Sequence, residues 1–368
     1  MTPLRDFDAA RALVLEHGSS ANAYQILNPG ILHWFASRGD AVVGHARYGR
    51  FLVVAGAPVS SDDRLAAVLG EFEKAAHAGG LRVCYFGVES PVASHFRERT
   101  SHSMIRLGAQ PVWTPAAWAR GVEGHPSLRA QFRRARNKGV VVRELPVFER
   151  PAGEDVRLCL DQWLRTRRSP TMHFLVEPDT LGHLRDRRLF VAERDSRVAG
   201  FLLASPVPRR RGWLVEQIVR GDSAVNGTSE LLVNVAMRSL AEGGSEYVTL
   251  GLAPLSTHST VGEVPTALWL RLLLRWVRAH GRRFYNFEGL DAFKAKLRPD
   301  GWEPLYAITD RGRFSPEVLL AIGGAFTRGR PFATTARALA WAVAEEAGSI
   351  TGVRLRHREA PERNTQRR

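Results

Sequence analysis

Hydrophobic and polar positions follow the same order of spacings in each half of the chain. In the first half, residues 30–37, 41–48 and 51–55 have the pattern of strands, 63–78 carries apolar residues at helical spacing, and 81–88 is typical of a buried strand. In the second half, the strands are predicted at 189–193, 198–205, 213–219 and 247–252, with a helix at 229–241. Each half therefore has a hairpin, a third strand, a helix and a further strand. The pattern also predicts helices at 90–97, 154–165 and 267–280, and strands at 109–113 and 306–309.

This order of elements is that of the N-acetyltransferase-like fold. Its repetition predicts an α/β (α+β) protein of two tandem N-acetyltransferase-like (GNAT) modules with a cleft between them, where a site is expected. The expected divisions are an N-terminal module at 1–125, a basic connecting helix and strand at 126–150, a C-terminal catalytic module at 151–312, a helical segment at 313–353 and a basic disordered tail at 354–368.

Charge extends this picture to partners. The 368 residues include 52 Lys+Arg and 37 Asp+Glu, a formal charge of +15, which indicates a polyanion such as nucleic acid or an anionic membrane surface. Free use of arginine for solubility is the alternative explanation. No apolar run approaches the roughly 18 residues that cross a bilayer, and two cysteines make no disulfide framework. We therefore expect a cytoplasmic protein, either free or peripheral at the inner face of the membrane.

Two segments could make polyanion contacts. Residues 127–139 form a basic helix whose apolar positions Leu128, Phe132 and Ala135 share one face. The outward basic side chains, which fit either a solvated linker or a surface that contacts phosphates, are Arg129, Arg133, Arg136 and Lys138. A weakly amphipathic helix predicted at 332–347 could cover the core or lie on a membrane beside the basic tail.

Several common chemistries lack their motifs. The sequence contains no phosphate loop, no G-x-S-x-G nucleophile elbow and no zinc-site spacing. The glycines at 221 and 227 do not form the compact pyrophosphate cradle that acetyl-CoA binding uses, which counts against acetyl transfer. We expect neither a metal nor a resident cofactor.

The most specific segments are 250–256, Leu-Gly-Leu-Ala-Pro-Leu-Ser, and 285–306, which contains Asn-Phe-Glu-Gly-Leu, Phe-Lys-Ala-Lys and Trp-Glu-Pro-Leu-Tyr. They resemble the C-terminal domain of bacterial phosphatidylglycerol lysyltransferases and alanyltransferases. That family typically reads N-F-x-G-L-x-x-F-K-x-K-F-x-P-x-W-E-P-R-Y, preceded by N-L-G-M-A-P-L-S. The resemblance covers roughly residues 20–310.

The resemblance implies transfer of an aminoacyl group from aminoacyl-tRNA, as co-substrate, to a hydroxyl of phosphatidylglycerol. The basic side chains of residues 127–139 are then expected to bind the tRNA backbone. The ester is already activated, so ATP is not needed. A cation near the ester can stabilise the developing oxyanion, and a carboxylate can orient or deprotonate the acceptor or hold the substrate ammonium. The residues that match the family's catalytic positions are Lys294, Glu303, Glu216 and Arg220. Those expected to bind substrate are Asn226, Glu230, Ser256, Asn286 and Lys296.

Two alternatives stay open at this point. Leu305 stands where the family has Arg, Glu216 stands where Asp is usual, and no counterpart of the long members' membrane domain is found in the sequence. An acceptor that is a soluble small molecule is therefore the second expectation. A non-catalytic protein that binds tRNA or membrane is the third.

Overall fold

The chain folds as helices packed on both faces of one sheet. A computed structural model describes residues 3–97, 99–146, 153–166, 172–259, 267–280 and 287–329. The helices in these residues are α1 (Pro3–His17), α2 (Leu65–Ala78), α3 (Ser90–Ser94), α4 (Pro115–Glu123), α5 (Pro126–Asn137), α6 (Glu154–Thr166), α7 (Thr228–Glu242), α8 (Leu268–His280), α9 (Phe287–Lys296) and α10 (Pro316–Phe326).

The strands form a single mixed sheet. They are β1 (Leu32–Phe35), β2 (Val42–Tyr48), β3 (Phe51–Ala55), β4 (Arg82–Glu89), β5 (Ser103–Trp113), β6 (Val141–Leu145), β7 (Arg188–Arg194), β8 (Arg197–Val207), β9 (Gly212–Arg220), β10 (Tyr247–Thr249), β11 (Ala253–Pro254) and β12 (Gly301–Thr309). The order across the sheet is β1-β2-β3-β4-β12-β5-β10-β9-β8-β7-β6, and β11 pairs with β5.

The predicted repeat is confirmed by the order and direction of the strands. In the first half, β1, β2 and β3 are antiparallel neighbours, and α2 connects β3 to the parallel strand β4. In the second half, β7, β8 and β9 are antiparallel neighbours, and α7 connects β9 to the parallel strand β10. Parallel neighbours need a crossover of this kind, because a tight turn cannot reverse the chain twice.

The two halves exchange strands at the middle of the sheet. β5 belongs to the first half but pairs with β10 of the second, and β12 belongs to the second half but pairs with β4 of the first. β5 and β12 pair with each other along their length, from Gly301 opposite Val112 to Thr309 opposite Ser103. The halves are therefore joined by continuous backbone hydrogen bonding, and residues from both meet on these central strands.

The core lies on both faces of the sheet. On β3, Leu52 and Val54 belong to the cluster that α2 covers, whereas Val53 belongs to the cluster formed with α1 and α10. In the second half, Phe190 packs in the cluster of α4, α5 and α7, and Leu189 packs in the cluster of α6. This two-sided burial explains why these strands read as apolar runs.

Most predicted elements are found within two residues of their expected ends, but three strands and one helix differ. β12 begins at Gly301 rather than 306, because it pairs with β5 along its whole length, and α3 ends at Ser94 rather than 97. β5 begins at Ser103 rather than 109, because its first half is held by pairing with β12, which local pattern does not reveal. β10 ends at Thr249 rather than 252, because Gly251 has a φ of +67°, a left-handed conformation that interrupts the strand. The helix predicted at 332–347 and the tail at 354–368 lie outside the described residues.

Candidate active site

Lys294 is held at the end of β10 by backbone carbonyls. Its side chain reaches from α9, and its Nζ donates to the carbonyl oxygens of Gly251 at 2.8 Å and Leu252 at 2.9 Å. The residue is 3% exposed. Burial disfavours the charged form and lowers the pKa of Lys294 to about 7, although the nearby carboxylate of Asp291 acts in the opposite direction. Lys294 is thus a fixed amine that can gain or lose a proton near neutral pH.

Strand register brings Glu303 level with the carbonyl groups that hold Lys294. Glu303 of β12 lies opposite Gln110 of β5. Residues 249–253 run along the other side of β5, with their two ends opposite Val112 and Ala109. The carbonyl groups that hold Lys294 are therefore opposite Gln110 on one side of β5, and Glu303 is opposite Gln110 on the other side.

Glu303 lies in a polar cluster that joins the two halves. Arg210 donates to both carboxylate oxygens of Glu303, at 3.0 and 3.1 Å, and to Glu89 at 2.9 Å. Gln110 donates to Glu303 at 2.9 Å, to Glu89 at 3.1 Å and to the hydroxyl oxygen of Tyr247 at 3.1 Å. The Arg210 guanidinium also lies over the Tyr247 ring, 4.4 Å from its centroid. One cation thus holds two carboxylates from opposite halves of the chain.

The protonation of this cluster follows from its burial. Burial raises the pKa of Glu89, an effect that the Arg210 charge partly offsets. For Arg210, burial alone would lower the pKa, but the neighbouring carboxylates of Glu89 and Glu303 outweigh it and the pKa is raised. Arg210 is therefore a cation at neutral pH.

Glu216 is level with the Lys294 site on the neighbouring strand, but it is enclosed. Thr249 of β10 lies opposite Leu214 of β9, which places Glu216 level with the turn at Gly251. The Glu216 carboxylate pairs with Arg187 at 3.2 Å, and both side chains are 3% exposed. Arg187 continues to Asn28 of the N-terminal half. Glu216 thus belongs to a buried ion pair of the second half, and Arg187 links this pair to the first half through Asn28.

The loop before α7 carries Arg220 and Asn226 on the surface. Arg220 ends β9 and is exposed, and Asn226 is exposed in the loop that follows. The loop closes at Gly227, whose φ of +97° and close approach to the backbone oxygen of Gln131 bring α5 against the start of α7. The basic helix therefore adjoins the loop in which two of the predicted site residues lie.

Lys296 and Glu230, both predicted to bind substrate, pair with each other. Lys296 Nζ donates to Glu230 Oε1 at 2.7 Å, and this contact ties α9 to the first turn of α7. Glu230 is buried and Lys296 is half-buried. Of the two lysines in Phe-Lys-Ala-Lys, Lys294 is enclosed and Lys296 lies at the surface beside it.

The turn after β11 holds a histidine that the sequence reasoning missed. His258 Nε2 lies 3.0 Å from Asp291 Oδ2, and its ring stacks on Trp302 with 4.4 Å between centroids. The predicted Ser256 is buried, and its Oγ accepts from the backbone N–H of His258. Asp291 is one helical turn before Lys294, a spacing that could have indicated the carboxylate near Lys294 but not its contact with His258. Asn286 lies outside the described residues.

The basic helix is as predicted: α5 buries its apolar positions and exposes its basic ones. Leu128, Phe132 and Ala135 are buried against the α4 and α7 core. The exposed basic side chains, none of which has a carboxylate within 4.0 Å among the described residues, are Arg129, Arg133, Arg134, Arg136 and Lys138. Because α5 carries no acidic residue, its outer face is available to a polyanion.

Neither a metal cluster nor a membrane-spanning helix is found in the part of the chain that is described. No group of three His, Cys, Asp or Glu side chains there could hold a metal ion. Likewise, no helix there has the length and apolarity to cross a membrane.

Known proteins share this architecture. The C-terminal domain of a putative lysylphosphatidylglycerol synthetase from Agrobacterium fabrum has a TM-score of 0.77 at 22% identity, covering 89% of this chain and 98% of that one. L-PGS from Bacillus licheniformis has a TM-score of 0.72 at 21% identity, covering 86% of this chain and 95% of that one. These similarities show that the chain has the same fold as both structures.

Sequence comparison gives the family. Phosphatidylglycerol lysyltransferase of Bacillus subtilis (strain 168) is 22% identical over 283 residues, which are 76% of this chain and 32% of that protein. The chain thus spans about a third of that relative's length. A family model described as "Phosphatidylglycerol lysyltransferase, C-terminal" matches residues 11–309. This match covers most of the chain, which therefore belongs to the phosphatidylglycerol lysyltransferase C-terminal family.

Proposed function

We propose that this protein transfers an aminoacyl group from aminoacyl-tRNA to a hydroxyl of phosphatidylglycerol, in the cytoplasm. The observation that carries the proposal is the buried Lys294, fixed by two carbonyls and with a pKa lowered to about 7. Family membership supports a transferase that acts on this lipid. The donor rests on the chemistry below and on the basic helix α5.

The reaction exchanges one ester for another. The acceptor hydroxyl oxygen attacks the carbonyl carbon of the aminoacyl ester, and the bond from that carbon to the ribose oxygen of tRNA breaks. The hydroxyl proton ends on the ribose oxygen. Since the bonds formed and broken are of the same type, the balance requires no further reactant.

Lys294 is suited to stabilise the negative charge that develops on the ester oxygen. Two of the three N–H groups of its ammonium form are used by Gly251 and Leu252, which leaves the third to donate to the substrate. A donor fixed in advance in a site shielded from water lowers the barrier without reorganisation. Its pKa of about 7 also lets the amine exchange a proton during the reaction near neutral pH.

The two predicted carboxylates are suited to different roles. The Glu303 side chain is 35% exposed and is oriented by Arg210, so it can accept a hydrogen bond from the acceptor hydroxyl or from the substrate ammonium. Glu216 is enclosed by its ion pair with Arg187, and it orients the guanidinium that donates to Asn28 of the N-terminal half. Glu303 is therefore our candidate for substrate contact, and Glu216 is a positioning residue.

The tRNA donor is supported by the placement of α5. Its exposed arginines lie beside the start of α7, where Glu230 and Lys296 connect to α9. A phosphate backbone bound along α5 would bring the aminoacyl end toward α9. Arg220 and Asn226 lie in the loop between these elements and are available to the same substrate.

The test is transfer from a mixture of radiolabelled aminoacyl-tRNAs to vesicles that contain phosphatidylglycerol. The proposal predicts base-labile label in the lipid phase, in amounts that depend on the lipid. Label in a water-soluble product would assign a soluble acceptor instead. Salt-sensitive tRNA binding without transfer of any amino acid would leave a binding protein and refute the enzymatic proposal.

A further inference from the structure

Helix α8 exposes an unusual concentration of large apolar side chains. In the described part of the chain, nine large hydrophobic residues are exposed. Four of these lie within six consecutive residues of α8, and they are Leu268, Trp269, Leu272 and Leu273. Large apolar side chains clustered in this way on a surface mark a contact with another apolar body.

The helix has one inward side and one apolar outward side. Leu270 is buried in the core cluster that contains residues of α1 and α10. At about 100° per residue, the four exposed side chains span about 140° of the helix circumference, and Leu270 points away from the centre of that arc. The exposed face is therefore a feature of how α8 is seated, not of a helix end that has frayed.

Basic side chains border this apolar face. Arg271 and Arg275 are exposed, and helical spacing places both along the edge next to Leu268 and Leu272. The sequence of α8, Leu-Trp-Leu-Arg-Leu-Leu-Leu-Arg-Trp-Val-Arg-Ala-His, contains no acidic residue. An apolar arc with a cationic border is the arrangement of helices that lie in the interface of an anionic bilayer.

We propose that α8 is a docking surface for an anionic phospholipid bilayer. Leu268, Trp269, Leu272 and Leu273 enter the boundary between headgroups and acyl chains, and Arg271 and Arg275 lie among the lipid phosphates. This inference extends the proposed lipid acceptor by naming the surface that meets the membrane, but it concerns binding alone and does not depend on transfer.

The position of α8 in the chain gives this contact a consequence. α8 is inserted between β11 and α9, and thus between the carbonyl groups that hold Lys294 and the helix that carries Lys294. A bilayer that binds α8 contacts the segment that connects the two parts of the Lys294 site.

Flotation with vesicles provides the test, using the full chain without tRNA. The wild type should bind vesicles of phosphatidylcholine with phosphatidylglycerol, and Leu272→Glu should lower the bound fraction at least about tenfold. Leu158→Glu in α6 is the matched control, since Leu158 is 51% exposed on a helix and Leu272 is 53% exposed. Arg271→Glu with Arg275→Glu should remove the preference for phosphatidylglycerol, whereas Arg157→Glu with Arg165→Glu in α6 should not.

The outcomes are separable. Equal binding by the Leu272 and Leu158 variants overturns the docking surface. A dimer in sedimentation velocity that Leu272→Glu dissociates, with vesicle binding intact, assigns the face to a second copy and also overturns it. Docking that depends on α8, with no transfer activity in the wild type, supports this inference and refutes the proposed function. Transfer to detergent-dispersed lipid by a wild type that does not dock on vesicles supports the proposed function and refutes this inference.

Discussion

Replacement of Lys294 by methionine removes a buried ammonium and keeps an unbranched side chain of similar length. In the wild type, the amine is 3% exposed and donates to two backbone carbonyls. The variant relieves the burial of a cation but leaves both carbonyls without this donor. Each unmet carbonyl costs about 1–3 kcal/mol, so the change in stability depends on how strongly the cation is disfavoured at the pH of the experiment.

That dependence can be worked out from the pKa. Folding lowers the pKa of Lys294 from 10.5 to about 7. Between these values the unfolded chain binds more protons than the folded chain, so the stability of the wild type rises with pH. Below pH 7 burial of the cation is unfavourable by about 5 kcal/mol. Between pH 7 and pH 9 about 2 kcal/mol of this is recovered, and at pH 5–6 the contribution is nearly constant.

Urea unfolding of the wild type and Lys294→Met from pH 5 to pH 9 measures this effect, because other titrating groups cancel in the difference. From pH 7 to pH 9, the free energy of unfolding of the wild type should rise by about 2 kcal/mol relative to that of the variant. In the transfer assay the variant should lose about 10²–10³-fold in rate, the loss seen when a donor to an oxyanion is removed.

Lys296→Met is the control for stability. Lys296 is 37% exposed and pairs with Glu230, so its replacement should lower the free energy of unfolding by at most about 1 kcal/mol. The stability difference between the wild type and Lys296→Met should not increase above pH 7. A stability difference for Lys294→Met that does not change with pH would refute the buried cation. A transfer rate within about threefold of the wild type would refute its catalytic role.

Three further changes test the surrounding structure. Arg210→Met should destabilise the protein by about 3 kcal/mol in urea unfolding, since it leaves two carboxylates without their cation. Replacement of its exposed neighbour, Arg211→Met, should cost less than about 1 kcal/mol. Equal losses of stability in the two variants would contradict a stabilising role for the Arg210 cluster. Gly227→Ala should destabilise the protein by about 3 kcal/mol, because Gly227 has a positive φ and an added Cβ would collide with the backbone of α5. Gly121→Ala, where nothing lies within 4 Å of the added Cβ, should be neutral or stabilising. Similar urea midpoints for the two variants would argue against this packing. The third test uses a triple variant, Arg129→Ala with Arg133→Ala and Arg136→Ala. Its slope of log tRNA affinity against log salt concentration should be smaller than that of the wild type by about 2–3, whereas Arg143→Ala, which removes a side chain already paired with Glu193, should leave the slope unchanged. An unchanged slope in the triple variant would exclude α5 from the tRNA contact.

The sequence predicts the elements well because their signals are local. The strand and helix periods of the two halves identify β3, α2 and α7 within a residue or two. The exchange of β5 and β12 could not be predicted in this way, since periodicity carries no information on which strands become neighbours. Single-sequence reasoning thus finds the repeat but not the interlocking of its copies.

Some residues of the candidate site could be predicted from the sequence, and others could not. Lys294 and Glu303 are found through a sequence motif, because they lie in contiguous segments that resemble a family. Arg210 has no motif: its partners Glu89 and Glu303 are 121 and 93 positions away. The pairing of Glu216 with Arg187 is likewise a product of packing, and because of it we propose a positioning role for Glu216 in place of the catalytic role expected from the sequence.

Mass spectrometry of the lipid product tests the central claim most directly. Purified protein is incubated with phosphatidylglycerol vesicles and charged tRNA, and the extracted lipid is analysed before and after mild alkali. We expect phosphatidylglycerol that is heavier by one aminoacyl group and reverts on alkaline treatment, and we expect Lys294→Met to form it about 10²–10³-fold more slowly. Phosphatidylglycerol of unchanged mass while the tRNA is deacylated, or formation of the product by Lys294→Met at the rate of the wild type, would contradict the proposed reaction.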